Sequence, residues 1–340
     1  MKTTHRGLTV VALLLAIFLS AMEMTVVSTA MPTAVGDLGG LHLYAWAFAA
    51  YMLTATVTVP IHGKLADLHG RKPVMLAGLA LFLAGSLLCG QARSMEALIA
   101  FRALQGLGAG AIQPVTLTIV GDLFDVHERA RWQGVFGAVW GVAGLIGPLL
   151  GGALVHYLSW RWVFYVNLPA GLACAAVLAA NYHERLERHP HRLDVPGALL
   201  LAGAITAVLL AARSAAGAAW AAPVGMALLA LFVAVERRAP EPLLPLDLFR
   251  QRVVAVASGA GALVGAGMFG VVTFVPLHVQ SVLGGAATAA GGAIAPMAIG
   301  WPIASTISGR LLRRAGYRRL IVGGLALTVV AAAALAWSLR

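Results

Sequence analysis

Residues 63–74 read GKLADLHGRKPV, a charged stretch between two long apolar segments. Each of these segments is long enough to cross the hydrocarbon core of a bilayer as a helix. The chain as a whole has the same character, because its 340 residues are 60% hydrophobic and only 11% charged, whereas soluble domains carry about 25% charged residues. A membrane-spanning chain forms helices or a closed barrel, and the alternating strands typical of a barrel are not found. The sequence therefore predicts an all-α, multi-span membrane protein.

Apolar segments divide the chain into about eleven candidate spans. Their approximate limits are 8–30, 43–61, 74–91, 95–120, 132–156, 161–180, 195–212, 219–236, 253–279, 288–309 and 319–339. The first of them follows two basic residues and is also compatible with a signal peptide. It continues past Ser20 into TVVSTAMP, which favours an uncleaved first span.

The basic residues predict the orientation of the spans. With the N-terminus in the cytoplasm, 19 of the 24 Lys and Arg residues fall in cytoplasmic segments and four at the outer face, and Arg102 lies within a span. This distribution follows the positive-inside rule and favours a multi-pass protein of the cytoplasmic membrane. The net charge of +11 then reflects topology and attraction to anionic lipid, not nucleic-acid binding.

Enzyme chemistry is not indicated. The two cysteines lie in apolar runs and the ten histidines show no ligand spacing, so we expect no metal site. A nucleophile–base pair and a phosphate-binding loop are also missing from the sequence. We therefore expect neither an enzyme nor a bound cofactor.

A short internal repeat suggests two related halves. Residues 63–72 read GKLADLHGRK and residues 309–319 read GRLLRRAGYRR. The aligned pairs are Gly63 with Gly309, Leu65 with Leu311, and Gly70 with Gly316. Spans ten and eleven then correspond to spans two and three, and spans seven and eight are an insertion. Repeated halves around a central site are a transporter architecture.

This alignment predicts a division into bundles and linkers. The segments are 1–180, an N-terminal six-helix bundle; 181–194, a cytoplasmic linker; 195–236, two inserted helices; 237–252, a second cytoplasmic linker; and 253–340, a C-terminal bundle with three of an expected six helices. Because the second unit is shorter than the first, we expect the sequence to be a truncated form of a longer architecture.

Two charged residues stand inside spans. Glu23 is the acid within the first span and Arg102 is the base within the fourth. Ionisable groups in a span face the bundle interior or a wet cavity, and they mark ion or proton pathways. Glu23 is the candidate proton carrier, with a structural acid as the alternative. Arg102 needs a partner, for which Glu23, Gln105 and helix carbonyls are the candidates, with a snorkelling or purely structural arginine as the alternative.

Two further stretches are candidates for moving parts. GVAGLIGPLLGG at 141–152 combines glycines with Pro148 in the fifth span, and such a helix permits close contacts and bending. In the loop at 63–72, we expect Gly63 and Gly70 to form close turns. Asp67 is expected to pair with Arg71 or to cap a neighbouring helix. For the stretch 141–152 the alternative is ordinary helix packing in the membrane. For the loop at 63–72 the alternative is a basic anchor that only follows the positive-inside rule.

Six stretches together resemble one family. GKLADLHGRKP, FRALQGLGAG, GLIGPLLGG, TVVSTAMPTAVGDLGG, SWRWVFYVNLPAG and PEPLLPLDLF resemble the major facilitator superfamily, in its fourteen-helix drug:proton antiporter branch. The resemblance covers essentially the whole chain. Three departures are Glu23, where aspartate is common in the branch, Ala143, where a glycine is usual, and the length, since eleven candidate spans stand against fourteen in the branch.

The resemblance implies a proton-driven exporter of small hydrophobic or cationic compounds, working by alternating access without a cofactor or an obligatory oligomer. It implies proton coupling by Glu23 and Arg102. The cytoplasmic gate would comprise Gly63, Asp67, Gly70, Arg71, Lys72 and Asp122. The antiporter motif would comprise Gly141, Gly144, Gly147, Pro148, Gly151 and Gly152. The alternatives are an exporter of one metabolite or siderophore, and a non-transporting product of a truncated reading frame.

Overall fold

The structure is a computed structural model that describes residues 4–184, 194–213, 220–240, 242, 244 and 246–338. The described residues form α-helices with two 3-10 turns, Leu41–Leu43 and Leu246–Arg250. The helices are α1 (Arg6–Leu38), α2 (Tyr44–His69), α3 (Arg71–Gly90), α4 (Met95–Leu123), α5 (Val126–Tyr157), α6 (Trp162–Tyr165), α7 (Asn167–Asn181), α8 (Val195–Arg213), α9 (Ala221–Glu236), α10 (Arg252–Ser281) and α11 (Ala287–Ser338).

The predicted all-α membrane fold is confirmed. Among the described residues, seven helical segments are long and apolar enough to cross a membrane, and they correspond to predicted spans one to six and nine. Two shorter apolar helices occupy the positions of the predicted inserted spans. The 52-residue α11 contains the predicted tenth and eleventh spans on either side of Gly316. The predicted limits of bundles and linkers remain predictions.

The two aligned glycines of the internal repeat share a backbone conformation. Gly70 has φ 100° and ψ 152°, and Gly316 has φ 74° and ψ 162°. This region of φ/ψ space is essentially restricted to glycine. Gly70 separates α2 from α3, and Gly316 interrupts α11 between its two apolar parts. The repeat seen in the sequence is therefore also present in the backbone.

The turn predicted at Gly63 is wrong. Gly63 lies inside α2, which continues through LADLH to His69. None of these residues interrupts helical hydrogen bonding, so the helix extends beyond its apolar part. A Cβ added at Gly63 would meet no atom within 4 Å. The change of direction depends on Gly70 alone.

Helices α1 to α7 form a first bundle that is held together by close helix contacts. Helix α4 packs on α2 and α3, while α1 packs on α5 and α7. A Cβ added at Gly108 would overlap the backbone of Phe82, and one added at Gly85 would lie 2.5 Å from the Gln105 backbone. Small residues of this kind allow helix backbones to approach in membranes. The approach of α3 to α4 brings their polar side chains together at the candidate site.

The remaining helices pack around this bundle. Helix α10 contacts α1, α11 contacts α5 and α10, and α8 and α9 pack on each other. The helices run between two ends of the molecule. We call them the Asp37 end, which also holds Gly90 and Ser281, and the Arg71 end, which also holds Arg6 and Arg252.

Candidate functional site

The two charged residues predicted within spans form a buried ion pair. A terminal nitrogen of Arg102, Nη1, donates to Glu23 Oε1, and both residues are 1% exposed. Nη1 also donates to Gln105 Oε1 at 2.7 Å, and Nε donates to the Ala47 carbonyl at 3.1 Å. All three kinds of partner considered for Arg102 are therefore present. The pair joins the middle of α1 to α4 and, through Ala47, to α2.

The second carboxylate oxygen of Glu23 is bound by another helix. Asn167 Nδ2 donates to Glu23 Oε2 at 2.5 Å and lies 3.0 Å from Ser86 Oγ. Gln105 Nε2 also donates to Ser86 Oγ at 3.2 Å, and Ser86 donates to the Phe164 carbonyl at 2.8 Å. Four helices, α1, α3, α4 and α7, thus supply the side chains of one polar network.

Asn167 lies next to the boundary between the two helical segments of the sixth predicted span. The span is divided into α6 and α7, with Val166 between them and Asn167 as the first residue of α7. Pro169 follows two residues later and has no N–H to donate to the carbonyl four residues earlier. Val166 keeps helical backbone angles, φ −61° and ψ −24°, so the chain stays helical across this point and Asn167 reaches Glu23 of α1 and Ser86 of α3.

The network lies in an apolar and aromatic surrounding. The guanidinium carbon of Arg102 lies 4.2 Å from the ring centroid of Tyr51, which is a cation–π geometry. Asn167, Ser86 and Gln105 are fully buried. In such surroundings charges interact more strongly than in water, and a charge without its partner is costly. A change in the proton on Glu23 would therefore alter the whole network.

Sequence reasoning missed Ser86, Asn167 and Tyr51. Uncharged polar and aromatic residues are common in spans, so they do not stand out as charges do. The available signal for Asn167 was its place in the VNLP stretch, where Pro169 predicts a helix start.

The structure brings three predicted gate residues together at the Arg71 end. Arg71 Nε lies 3.1 Å from Asp122 Oδ2, and Arg71 Nη2 lies 3.8 Å from Asp67 Oδ1. The two carboxylates are roughly half exposed. Asp67 and Asp122 lie in the last turns of α2 and α4, and Arg71 begins α3, so the contact joins three helix ends. Gly70 lies next to it, whereas Gly63 lies two turns of α2 away.

An acid that sequence reasoning missed caps α3. Glu184 accepts from the backbone N–H groups of Arg71 at 2.6 Å and Lys72 at 3.2 Å. The capping role considered for Asp67 is filled by Glu184, because the chain after α7 returns to the start of α3. Lys72 Nζ donates to the carbonyls of Ala179 and Tyr182 at 2.6 and 2.7 Å. A cation at a helix C-terminus is favourable, so Lys72 ties α3 to the end of α7.

Part of the predicted α5 motif faces α1. A Cβ added at Gly147 would overlap the hydroxyl of Thr25, and one added at Gly151 would overlap the hydroxyl of Thr29. The lack of side chains at these two positions is therefore what allows α5 to approach α1.

The rest of the α5 motif faces α11 and a cavity. A Cβ added at Gly152 would lie 2.9 Å from the Ala287 carbonyl oxygen, and Gly291 lies against the backbone of Pro148. Gly141 and Gly144 line a cavity. The motif thus contacts α1, α11 and the cavity from different faces of one helix.

The cavity has a volume of about 460 Å³ and lies between two halves of the molecule, with α1, α4 and α5 on one side and α10 and α11 on the other. Its lining residues are Ala21, Met24, Thr25, Gln113, Gly137, Trp140, Gly141, Gly144, Met268, Val272, Met297 and Trp301. Two tryptophans, Trp140 of α5 and Trp301 of α11, are among them. Within the described part of the chain, no cluster of three or more His, Cys, Asp and Glu residues could hold a metal ion.

The halves are joined between the cavity and the Asp37 end. Gln280 Nε2 donates to the Thr29 carbonyl at 3.0 Å, and Thr33 donates to Gln280 Oε1 at 3.2 Å. Tyr44 donates to the Thr273 carbonyl at 2.7 Å. These hydrogen bonds join α1 and α2 to α10 beyond the cavity.

Comparisons with known proteins agree with this architecture. The chain is 41% identical over 333 residues to the Multidrug transporter protein MdtP of Bacillus subtilis (strain 168), covering 95% of this chain and 61% of the relative. It is 39% identical to Multidrug resistance protein 3 of the same strain, covering 94% of this chain and 64% of the relative. The chain thus spans less than two thirds of the length of these relatives.

Solved structures show the same fold. A bacterial homolog of the human lysosomal transporter Spinster, in an inward-facing and unoccupied conformation, aligns with a TM-score of 0.64 at 18% identity over 91% of this chain and 63% of that chain. The peptide transporter POT in complex with sulfate aligns with a TM-score of 0.63 at 19% identity over 90% of this chain and 69% of that chain. The sequence profile described as Major Facilitator Superfamily matches residues 13–339. This polytopic membrane protein therefore belongs to the major facilitator superfamily.

Proposed function

We propose that the chain acts in proton-coupled efflux of small hydrophobic or cationic compounds across the cytoplasmic membrane, with its N-terminus in the cytoplasm. The observation that carries this proposal is the Glu23–Arg102 ion pair, buried in the middle of the bundle beside a central cavity. The names of the two Bacillus subtilis relatives support drug efflux as the class of transport.

The ion pair offers a physical route for coupling. Protonation of Glu23 removes its charge and leaves Arg102 with Gln105 and the Ala47 carbonyl as neutral partners. Because a buried unpaired charge is unfavourable, the helices that hold the pair must rearrange. Helix α1 carries Glu23 on one side and cavity residues on the other, so it transmits the change to the substrate.

In this proposal, the contacts at the Asp37 end and at the Arg71 end form in turn, so that one end of the molecule is closed at a time. In the structure, α10 is joined to α1 and α2 between the cavity and the Asp37 end. Transport requires this closure to open, and a competing closure to form at the Arg71 end. Asp67, Arg71 and Asp122 sit at that end, where they fix the relative positions of α2, α3 and α4.

Glu23→Gln tests the coupling. We expect it to abolish export driven by a pH gradient in inside-out vesicles, because the amide removes the titratable group. Glu96→Gln is the matched control, since Glu96 is exposed at the Asp37 end, and we expect it to leave export intact. Full pH-driven export by Glu23→Gln would rule out the proposed role of Glu23.

A further inference from the structure

The charges that line the central cavity bear on the class of compound that it accepts. Among the described lining residues, none is Asp, Glu, Lys or Arg. The polar side chains in this set are Thr25, Gln113 and the indole N–H groups of two tryptophans, and the remaining wall is aliphatic, thioether and aromatic. The sequence adds that no Asp or Glu occurs after Asp247. The part of α10 and α11 that this chain contributes to the cavity therefore offers no acid.

Glu23, the acid in the middle of the first span, does not face the cavity. Ala21, Met24 and Thr25 line the cavity from α1, and at about 100° per residue they share one face of the helix. Glu23 lies on the opposite face, 1% exposed, with its oxygens bound by Arg102 and Asn167. Because Arg102 neutralises it at close range, a molecule in the cavity meets a neutral pair behind a helix.

We propose that the cavity wall formed by this chain selects uncharged aromatic or apolar molecules over cations of the same shape. This inference rests on the proposed function, because it names the substrate class of the same cavity. A cation entering the cavity would lose water without gaining a carboxylate. The faces of Trp140 and Trp301 attract cations by about 1–2 kcal/mol each, whereas taking an ion out of water costs several kcal/mol when no opposite charge compensates it. The three methionines, Met24, Met268 and Met297, provide polarizable and adaptable contacts for flat rings.

A pair of isosteric ligands tests the inference. The probes are 2-tert-butylnaphthalene and N,N,N-trimethyl-2-naphthylammonium. They differ only in the central atom of the substituent, which is carbon in the first and a positively charged nitrogen in the second. Binding of each radiolabelled probe is measured on the whole chain in lipid nanodiscs, and binding to empty nanodiscs is subtracted. Each dissociation constant is calculated from the concentration of the probe in the bilayer, because the two probes partition differently into lipid. We expect the neutral probe to bind about tenfold or more tightly than the cation. Equal or tighter binding of the cation would overturn the inference.

A charge placed in the cavity should change the selectivity. Gln113 lines the cavity and is exposed to it, so Gln113→Glu supplies an isosteric carboxylate. We expect the preference for the neutral probe to fall about tenfold. Gln251→Glu makes the same change at an exposed position at the start of α10, and it should leave the preference unchanged. An unchanged preference in Gln113→Glu would count against the inference.

A pair of glycines locates the binding. Gly137 lines the cavity, and a Cβ there would meet no atom within 4 Å. Gly137→Leu should therefore fill the cavity without displacing the backbone, and we expect it to weaken binding of the neutral probe. Gly134→Leu is the control, since Gly134 is equally open on α5. The inference would be overturned if both variants lost binding, if neither did, or if the neutral probe did not bind to the unsubstituted chain.

This binding experiment separates the inference from the proposed function. A chain that binds the neutral probe in the cavity but shows no pH-driven export contradicts the proposed function and leaves the selectivity standing. A chain that exports cations in a pH gradient and binds the cationic probe more tightly supports the function and overturns the selectivity.

Discussion

At the scale of single residues, the carboxylate of Glu23 connects two parts of the first bundle. One oxygen accepts from Arg102 of α4 and the other from Asn167 of α7. Ser86 of α3 completes the network by accepting from Asn167 and Gln105. A titratable group held by several helices can affect all of them when its charge changes. The same residues should therefore contribute to stability as well as to the proposed coupling.

Arg102→Met should destabilise the protein by about 3–5 kcal/mol, because it leaves a buried carboxylate without its cation. Combining it with Glu23→Gln should recover part of this loss, since the amide carries no charge. Denaturant unfolding in detergent micelles measures both variants. The single variant Glu23→Gln completes the comparison. If the loss of stability in the double variant equalled the sum of the losses in the two single variants, the two residues would not be energetically coupled.

At the scale of helices, glycines act in two distinct ways. Gly70 and Gly316 adopt backbone angles that side chains disfavour, and each interrupts a long helical stretch. Gly147 and Gly151 have helical backbones, and they are needed because α1 lies against them. Substitution of Gly70 or Gly316 should therefore act through backbone strain, whereas substitution of Gly147 or Gly151 should act through overpacking against α1.

Gly70→Ala and Gly316→Ala should each lower stability by about 1–3 kcal/mol, because the required φ and ψ are strained for alanine. Gly63→Ala should be neutral or slightly stabilising, since Gly63 is helical with open space around its Cα and alanine favours helices. Thermal unfolding of the three variants provides the comparison. A destabilisation by Gly63→Ala equal to that of Gly70→Ala would contradict the helical assignment of Gly63.

Gly151→Ala should cost about 1–3 kcal/mol through overpacking, because its Cβ would overlap the Thr29 hydroxyl and lie 2.8 Å from the Val26 carbonyl oxygen. Gly134→Ala on the same helix meets no atom within 4 Å and should be neutral or stabilising. The difference in unfolding free energy between the two variants is the measurement. Similar values for both would mean that α5 does not approach α1 as described.

At the scale of the whole molecule, the two halves enclose a cavity and meet beyond it. The joining hydrogen bonds involve Thr29, Thr33 and Tyr44 on one side and Thr273 and Gln280 on the other. All of these residues lie towards the Asp37 end. The arrangement is that of a protein closed at the Asp37 end.

The double variant Thr33→Cys with Gln280→Cys should be cross-linked by a short bifunctional thiol reagent, because these side chains touch at 3.2 Å. The cross-link should stop export by preventing opening at the Asp37 end. The native cysteines, Cys89 and Cys174, are fully buried and should react slowly. Gel mobility and export are the two measurements.

Thr33→Cys with Gln251→Cys is the matched control. Gln251 precedes the 30-residue α10 at the Arg71 end, so about 45 Å of helix separates it from the Gln280 region. We expect no cross-link in this pair. Cross-linking of the control, or full export by the cross-linked first pair, would contradict closure at the Asp37 end.

The sequence by itself determined the membrane class, the helical fold and the two charged residues of the network. Apolar runs of sufficient length permit only a few structures in lipid, and charges within spans are rare enough to identify Glu23 and Arg102 individually. The turn glycine Gly70 was also predictable, because its repeat pairs it with Gly316 between two apolar segments.

Tertiary structure alone decided which faces of the helices meet. Asn167 and Ser86 belong to the polar network, and Glu184 rather than Asp67 caps α3. The glycines of the α5 motif face α1, α11 and the cavity. In a soluble helix an apolar stripe reveals the buried face, but spans are apolar on every side because lipid covers what protein does not. Only the packed structure therefore shows which face of α1 presents Glu23 to the network and which presents Met24 to the cavity.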